Sequence, residues 1–174
     1  IRDRGVTPLA EAGAEYPLGQ LWYQLALLEG DRGFVDSYQL YDGEVDWQGP
    51  EVTAASETLK DYVDKGYIAS DVSSVKAEDA GVSFINGTSP IFVSGSWWFG
   101  RFVSEATGFD WTMTAFPGAD LSLGSSGNLW VVPENAANKE LAYEFIDITM
   151  RPEIQAIIGN NGGLPVAACL LYTS

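Results

Sequence analysis

Two adjacent indoles, Trp97 and Trp98, are the side chains of this sequence best suited to meeting a ligand. They follow Gly95-Ser96 and a short apolar run over residues 90–93. An indole offers a broad apolar face with an N–H at one edge. A sugar ring is its complement, because its C–H face is apolar and its rim is hydroxylated. The Gly-Ser bend keeps the preceding side chains small, so a flat group can approach closely. One indole is expected to face the ligand and the other the core, with Trp97 the ligand face and Trp98 the anchor. Two polar groups add to the set. Glu15 can accept hydrogen bonds from hydroxyls, and a charged acceptor makes the stronger bond. Its competing and preferred role is to compensate charge at a helix N-terminus. Asn128 opens a strand after a Gly/Ser-rich stretch and can bridge two hydroxyls.

Other chemistries are excluded by composition. The chain of 174 residues has no histidine, which removes Ser-His-Asp, Cys-His and His-ligated metal sites. Its one cysteine, Cys169, allows no internal disulfide and says little about compartment. No cofactor or metal is called for. The formal charge of -15 opposes binding to nucleic acid or to an anionic membrane surface. No apolar run approaches the ~20 residues that span a bilayer. A hydrophobic fraction of 46% with 13% aromatics fits a globular domain with a real core.

The elements that must position these residues read as alternating helices and short strands, an α/β layered fold. Residues 5–9 read as a short strand. Pro17 opens a helix in which Leu18, Leu21, Trp22, Leu25 and Leu28 recur at helical spacing until Gly30. Residues 31–49 read as loop, punctuated by Gly33, Gly43 and Gly49. Pro50 opens a second helix with a stripe of Val52, Ala55, Leu59, Tyr62 and Val63, stopped by Lys65-Gly66. A third helix is predicted over residues 77–86, and another over 99–106 with Phe99, Phe102 and Val103 buried. Residues 111–116 alternate like a half-buried strand, and 128–132 read as another strand, closed by Pro133. Asn138 is the expected N-cap of a helix through Ile148, and a last short helix follows Pro152. Trp22, Trp47 and Trp111 are read as structural, Trp130 as core or hinge packing, and Asn160-Asn161-Gly162-Gly163 as a turn.

In this order the elements resemble the extracellular solute-binding proteins of bacterial sugar ABC transporters, the group that includes maltose-binding protein. Four blocks carry the resemblance. They are YVDKGYI at 62–68, AGVSFINGTSPIFVSGSW at 80–97, TAFPG at 114–118, and GNLWVVP at 127–133 continuing to NKELAYEFI at 138–146. The resemblance covers roughly residues 5–166. It departs from the family at 86–90, which lack the alanine-methionine pair often found before this strand. It also lacks a leader with a lipid-anchor cysteine, most of a first lobe and the last helices.

The resemblance implies a periplasmic-binding-protein-like fold of two lobes closing on a sugar. Residues 5–116 would form the second-lobe portion, and 119–165 would return to the first lobe. That returning segment is expected to leave apolar surface uncovered. Trp97 matches the stacking tryptophan of the family, and Tyr16 stands where the family often places an aromatic against sugar. The implied partners are a sugar or oligosaccharide and the membrane permease of an ABC transporter. The protein would be a monomer when intact, located outside the cytoplasm in the periplasm or lipid-anchored at the cell surface.

Both ends read as cut, and residues 168–174 read as a non-native tail. A glycoside hydrolase is the enzymatic alternative, since carboxylates and tryptophans also build such sites. It needs two carboxylates ~5–5.5 Å or ~6.5–9.5 Å apart, and no pair in the sequence is singled out. A protein-interaction module with exposed aromatics is the other alternative.

Overall fold

The computed structural model describes residues 4–124 and 129–161, so Asn128, Gly162-Gly163 and the 168–174 tail lie outside the described residues. The chain packs as two compact units. The first runs to Ser94 and resumes over Glu105–Gly124; the second holds Gly95–Ser104 and the described residues from Leu129 onward.

The first unit is built on two apolar helix stripes packed together. Helix α1 (Pro17–Ala26) has proline at its start, where a missing N–H costs nothing. Helix α3 (Pro50–Asp64) starts the same way. Leu21 and Leu25 of α1 are buried, as is Ala55 of α3, with Leu59, Tyr62 and Val63 packed beside them. Full burial of one such leucine contributes about 1.5–3 kcal/mol. Trp22 joins this packing and donates its indole N–H to Ser56 Oγ at 3.0 Å. The chain leaves α3 through Gly66, whose φ of 67° is left-handed and favours a residue without Cβ.

Residues 31–49 depart from the expected loop. Arg32–Gln39 form helix α2, because Asp31 is an N-cap whose Oδ1 accepts from the Phe34 amide at 3.0 Å. Phe34, Val35 and Tyr38 then give the helix an apolar face on the core. Gly33, read as punctuation, lies inside the first turn.

Strand β1 (Leu9–Ala10) pairs in parallel with β2 (Ile91–Phe92), in register Leu9 with Ile91 and Ala10 with Phe92. Both strands are shorter than the predicted runs. Helix α4 (Ala77–Ile85) packs on this pair through Ala80 and Phe84, as predicted.

The predicted strand at 111–116 does not form. Residues 112–115 are exposed and no ladder partner lies among the described residues. Alternation specifies a face, but a strand exists only where a neighbour supplies hydrogen bonds. The same applies to 129–132.

In the second unit a 3-10 turn at Ser96–Trp98 leads into α5 (Phe99–Glu105). Of the three residues expected to be buried there, only Phe102 is; Phe99 and Val103 are exposed, because a seven-residue helix covers one narrow face. Helices α6 (Lys139–Thr149) and α7 (Pro152–Asn160) are joined by a buried bond from Gln155 Nε2 to the Thr149 carbonyl at 2.6 Å. Asn138 precedes α6, but its side chain makes no capping bond. Leu129, Trp130, Val131, Leu141, Tyr143 and Phe145 are all exposed, with Trp130 set edge-on to Phe145 at 5.4 Å. Trp130 is therefore not core packing in the described chain.

Candidate functional site

The two tryptophans are placed differently by one residue of helical rotation. Trp98 is 7% exposed. Its ring stacks on Phe102, one helical turn later, at 5.6 Å and 20°. The Arg101 guanidinium sits 5.3 Å from its ring centroid, within cation–π reach. Trp97 is 53% exposed. A Cβ built on Gly95 would lie 1.9 Å from the Trp97 ring, which no real side chain tolerates. The flat group that exploits the small residue at 95 is therefore Trp97's own indole. Gly95 lets the ring fold back on the backbone while the residue stays half exposed. The close approach by a ligand that the sequence suggested is in this respect replaced by a self-contact.

The start of α5 has a second tight contact. A Cβ on Gly100 would stand 2.9 Å from Asn161 Oδ1 and 3.1 Å from its Cα. Asn161 in turn donates to the Ile157 carbonyl at 2.8 Å, closing α7. The tryptophan segment is thus fixed against the end of the last described helix, by residues far apart in sequence.

Glu15 and Tyr16 lie in the first unit. Glu15 Oε2 accepts a hydrogen bond from the Ala77 amide at 2.7 Å, at the first residue of α4. The carboxylate compensates a helix N-terminus, but that of α4 and not of the helix it precedes. Tyr16 occupies the N-cap position of α1 without a side-chain cap and is half exposed. Trp97 and Trp98 come together in the second unit, and Glu15 with Tyr16 in the first; Asn128 is outside the described residues.

Two groups missed in the sequence stand at the carboxyl ends of the paired strands. Glu11 follows β1 and is 4% exposed, and neither of its carboxyl oxygens has a hydrogen-bond partner among the described residues. Ser94 follows β2, and its buried Oγ is likewise without one. Burial pushes the Glu11 carboxyl up to about 8; the Ala12 amide is near enough to oppose this in part, although it makes no hydrogen bond of good geometry to either oxygen. Glu11 thus keeps its proton at neutral pH and can both donate and accept. In open α/β sheets, ligands sit beyond the carboxyl ends of parallel strands. The available signal was position: an acid directly after an apolar strand and before Ala12-Gly13-Ala14.

A parallel strand pair flanked by helices is the architecture of an α/β protein. The family profile of bacterial extracellular solute-binding proteins matches residues 10–168, and the chain belongs to that family. The fold agrees with solved structures. One is a chitin oligosaccharide binding protein, with a TM-score of 0.71 and 20% identity over 97% of this chain and 45% of that one. Another comes from work on xylan utilization by the thermophilic bacterium Caldanaerobius polysaccharolyticus, with a TM-score of 0.68 and 20% identity over 94% of this chain and 44% of that one. The chain spans less than half the length of either. No curated protein gave a match. The family is extracytoplasmic and one of binding proteins, which sets aside the glycoside hydrolase alternative.

Proposed function

We propose that the whole protein binds a sugar or oligosaccharide outside the cytoplasm and presents it to the membrane permease of an ABC transporter. The observation that carries this reading is the asymmetry of the tryptophan pair. Trp98 is locked between Phe102 and Arg101, and Trp97 is held half exposed over Gly95. A half-exposed indole next to a buried anchor offers the apolar ring face that stacking on a sugar requires. Membership of a solute-binding family supports the binding role, and the chitin oligosaccharide binding protein of the same fold makes a sugar the natural ligand class.

We assign residues 5–116 to the second lobe and 119–165 to a segment returning to the first. On this assignment the unit holding Trp97 draws on both lobes, as a wall beside a hinge would. The open apolar faces at 129–131 and on α6 are then surfaces that first-lobe elements cover. Tyr16, Glu15 and Asn128 are the further ligand contacts of this reading. Glu15 keeps one oxygen for hydroxyls while the other caps α4. Closure of the lobes on ligand is a hinge motion.

Calorimetric titration of the whole protein against a panel of neutral sugars tests the reading. Saturable binding that weakens in Trp97→Ala supports it. An interaction module predicts no saturable sugar heat.

A further inference from the structure

The stretch that ends the first unit has no ladder partner among the described residues, yet its backbone is engaged. It lies over the α1–α3 core, with Phe116, Leu121 and Leu123 packed against that core. Leu121 and Leu123 are half-buried, and Ser122 and Gly124 are exposed, the in-and-out order of extended chain. Extended chain in this position needs partners for its backbone groups.

Gln24 of α1 supplies them. It is 4% exposed. Its Nε2 donates to the Leu121 carbonyl at 3.0 Å, and its Oε1 accepts from the Leu123 amide at 2.7 Å. A carbonyl and the amide two residues on are the pair that one residue of a parallel strand engages. The Gln24 side chain thus stands in for a strand neighbour. A second glutamine continues the row. Gln39, the last residue of α2, donates from Nε2 to the Gly124 carbonyl at a longer 3.4 Å. Its Oε1 is held by the Tyr23 hydroxyl at 3.0 Å.

The leucine contacts alone would hold this stretch loosely, because apolar attraction has no direction. Two bonds to one buried amide are directional and fix the chain at one place and angle. Removing the amide leaves a carbonyl and an N–H without partners, so the stretch gains by lifting toward water. The pinned stretch also stands at a boundary. Gly124 is the last residue of the first unit, and the chain beyond it belongs to the second.

We propose that Gln24 is a positioning residue for ligand binding: it pins residues 121–124 to the first unit and so fixes the point from which the chain crosses to the second. The proposal rests on the two-lobe assignment above and narrows it. Residues through Gly124 move with the helical lobe, and only the chain beyond them returns to the other. Gln24 touches no ligand on this account; it acts through the place where the crossing starts.

The test is made on the whole protein. Gln24→Met removes both bonds and keeps an unbranched side chain of similar size. Without ligand, the Leu123 amide should exchange about tenfold or more faster in Gln24→Met than in wild type, with α3 amides unchanged. Spin labels replacing the exposed Glu57 and Ser122, with Cys169→Ser, should report one narrow distance when Gln24 is present and a broad or split one in Gln24→Met. A glutamine that only stabilised the fold would lower the thermal midpoint and leave that distance narrow. Calorimetry with xylan and chitin oligosaccharides of two to six units reads the effect on binding. If about a tenth to a third of the variant molecules hold the crossing in place, affinity falls by about 3- to 10-fold. A Leu123 amide that exchanges freely in wild type overturns the proposal without any variant. So does a narrow distance in Gln24→Met, or an unchanged affinity beside a broadened distance. A wild type that binds none of these sugars overturns the sugar reading instead, and the exchange and distance results still decide whether Gln24 pins the crossing.

Discussion

Replacing Glu11 by glutamine tests whether an unpartnered carboxyl is buried at the end of β1. The wild-type carboxyl moves from an ordinary 4.5 to about 8 on folding, chiefly because burial penalises its charged form. Below pH 4.5 it is protonated in both folded and unfolded chains and adds no pH dependence. Between 4.5 and 8 the folded chain holds a proton that the unfolded chain has released. Stability therefore falls as pH rises, by about 1.4 kcal/mol per unit. Above 8 the group is ionised in both states, and the folded state carries the full cost of about 5 kcal/mol. At pH 7 about 3 kcal/mol of this is present. Glu11→Gln has nothing to titrate there. The stability of the variant relative to wild type should thus climb from pH 4.5 to pH 8 and be flat on either side. Urea unfolding of both proteins from pH 4 to 9, followed by circular dichroism, reads the difference. A side-chain carbon titration of the wild type should give a midpoint near 8. A midpoint near 4.5, or stability curves that stay parallel across this range, would refute the burial argument.

Three further outcomes follow from the contacts at the site. Gly95→Ala forces the Trp97 ring off its seat, so the tryptophan emission spectrum should shift while circular dichroism is retained; an unchanged spectrum contradicts the self-contact. Trp98→Ala should lower unfolding stability by about 3–5 kcal/mol, since it empties a buried stack with Phe102; a loss under about 1 kcal/mol would show the ring to be dispensable. Glu15→Ala removes the acceptor of the Ala77 amide and should destabilise α4 by about 1 kcal/mol, measured as faster amide exchange at its first turn; unchanged exchange would deny the capping role.

Much of the helical frame was legible because its signals are local. Pro17, Pro50 and Pro152 mark helix starts, and Lys65-Gly66 marks a stop, whatever the rest of the chain does. Helix α2 was hidden because Asp31 and Gly33 carry two meanings. Both favour loops, yet Asp31 followed by the Phe34, Val35 and Tyr38 stripe is a capped amphipathic helix. No strand forms at 111–116 or over the described residues 129–132, because pairing is a non-local property that a local sequence pattern does not encode. The burial difference between Trp97 and Trp98 was legible, as neighbours on a turn must diverge. The seat of Trp97 on Gly95 was not, since a rotamer is set in three dimensions. Glu11 escaped notice because a lone acid in an acidic chain reads as solvated surface. Its burial depends on β1 pairing with β2, where Leu9 meets Ile91 from far along the sequence.

The proposed function stands or falls with Trp97 stacking on a sugar. Its most direct test is calorimetry of the whole protein and its Trp97→Ala variant with the tightest-binding neutral sugar. Loss of one aromatic contact should weaken binding by about 1–3 kcal/mol, roughly 5- to 150-fold, with the thermal midpoint retained because the ring is half exposed. Equal affinity in the two proteins would remove Trp97 from the site and contradict the account.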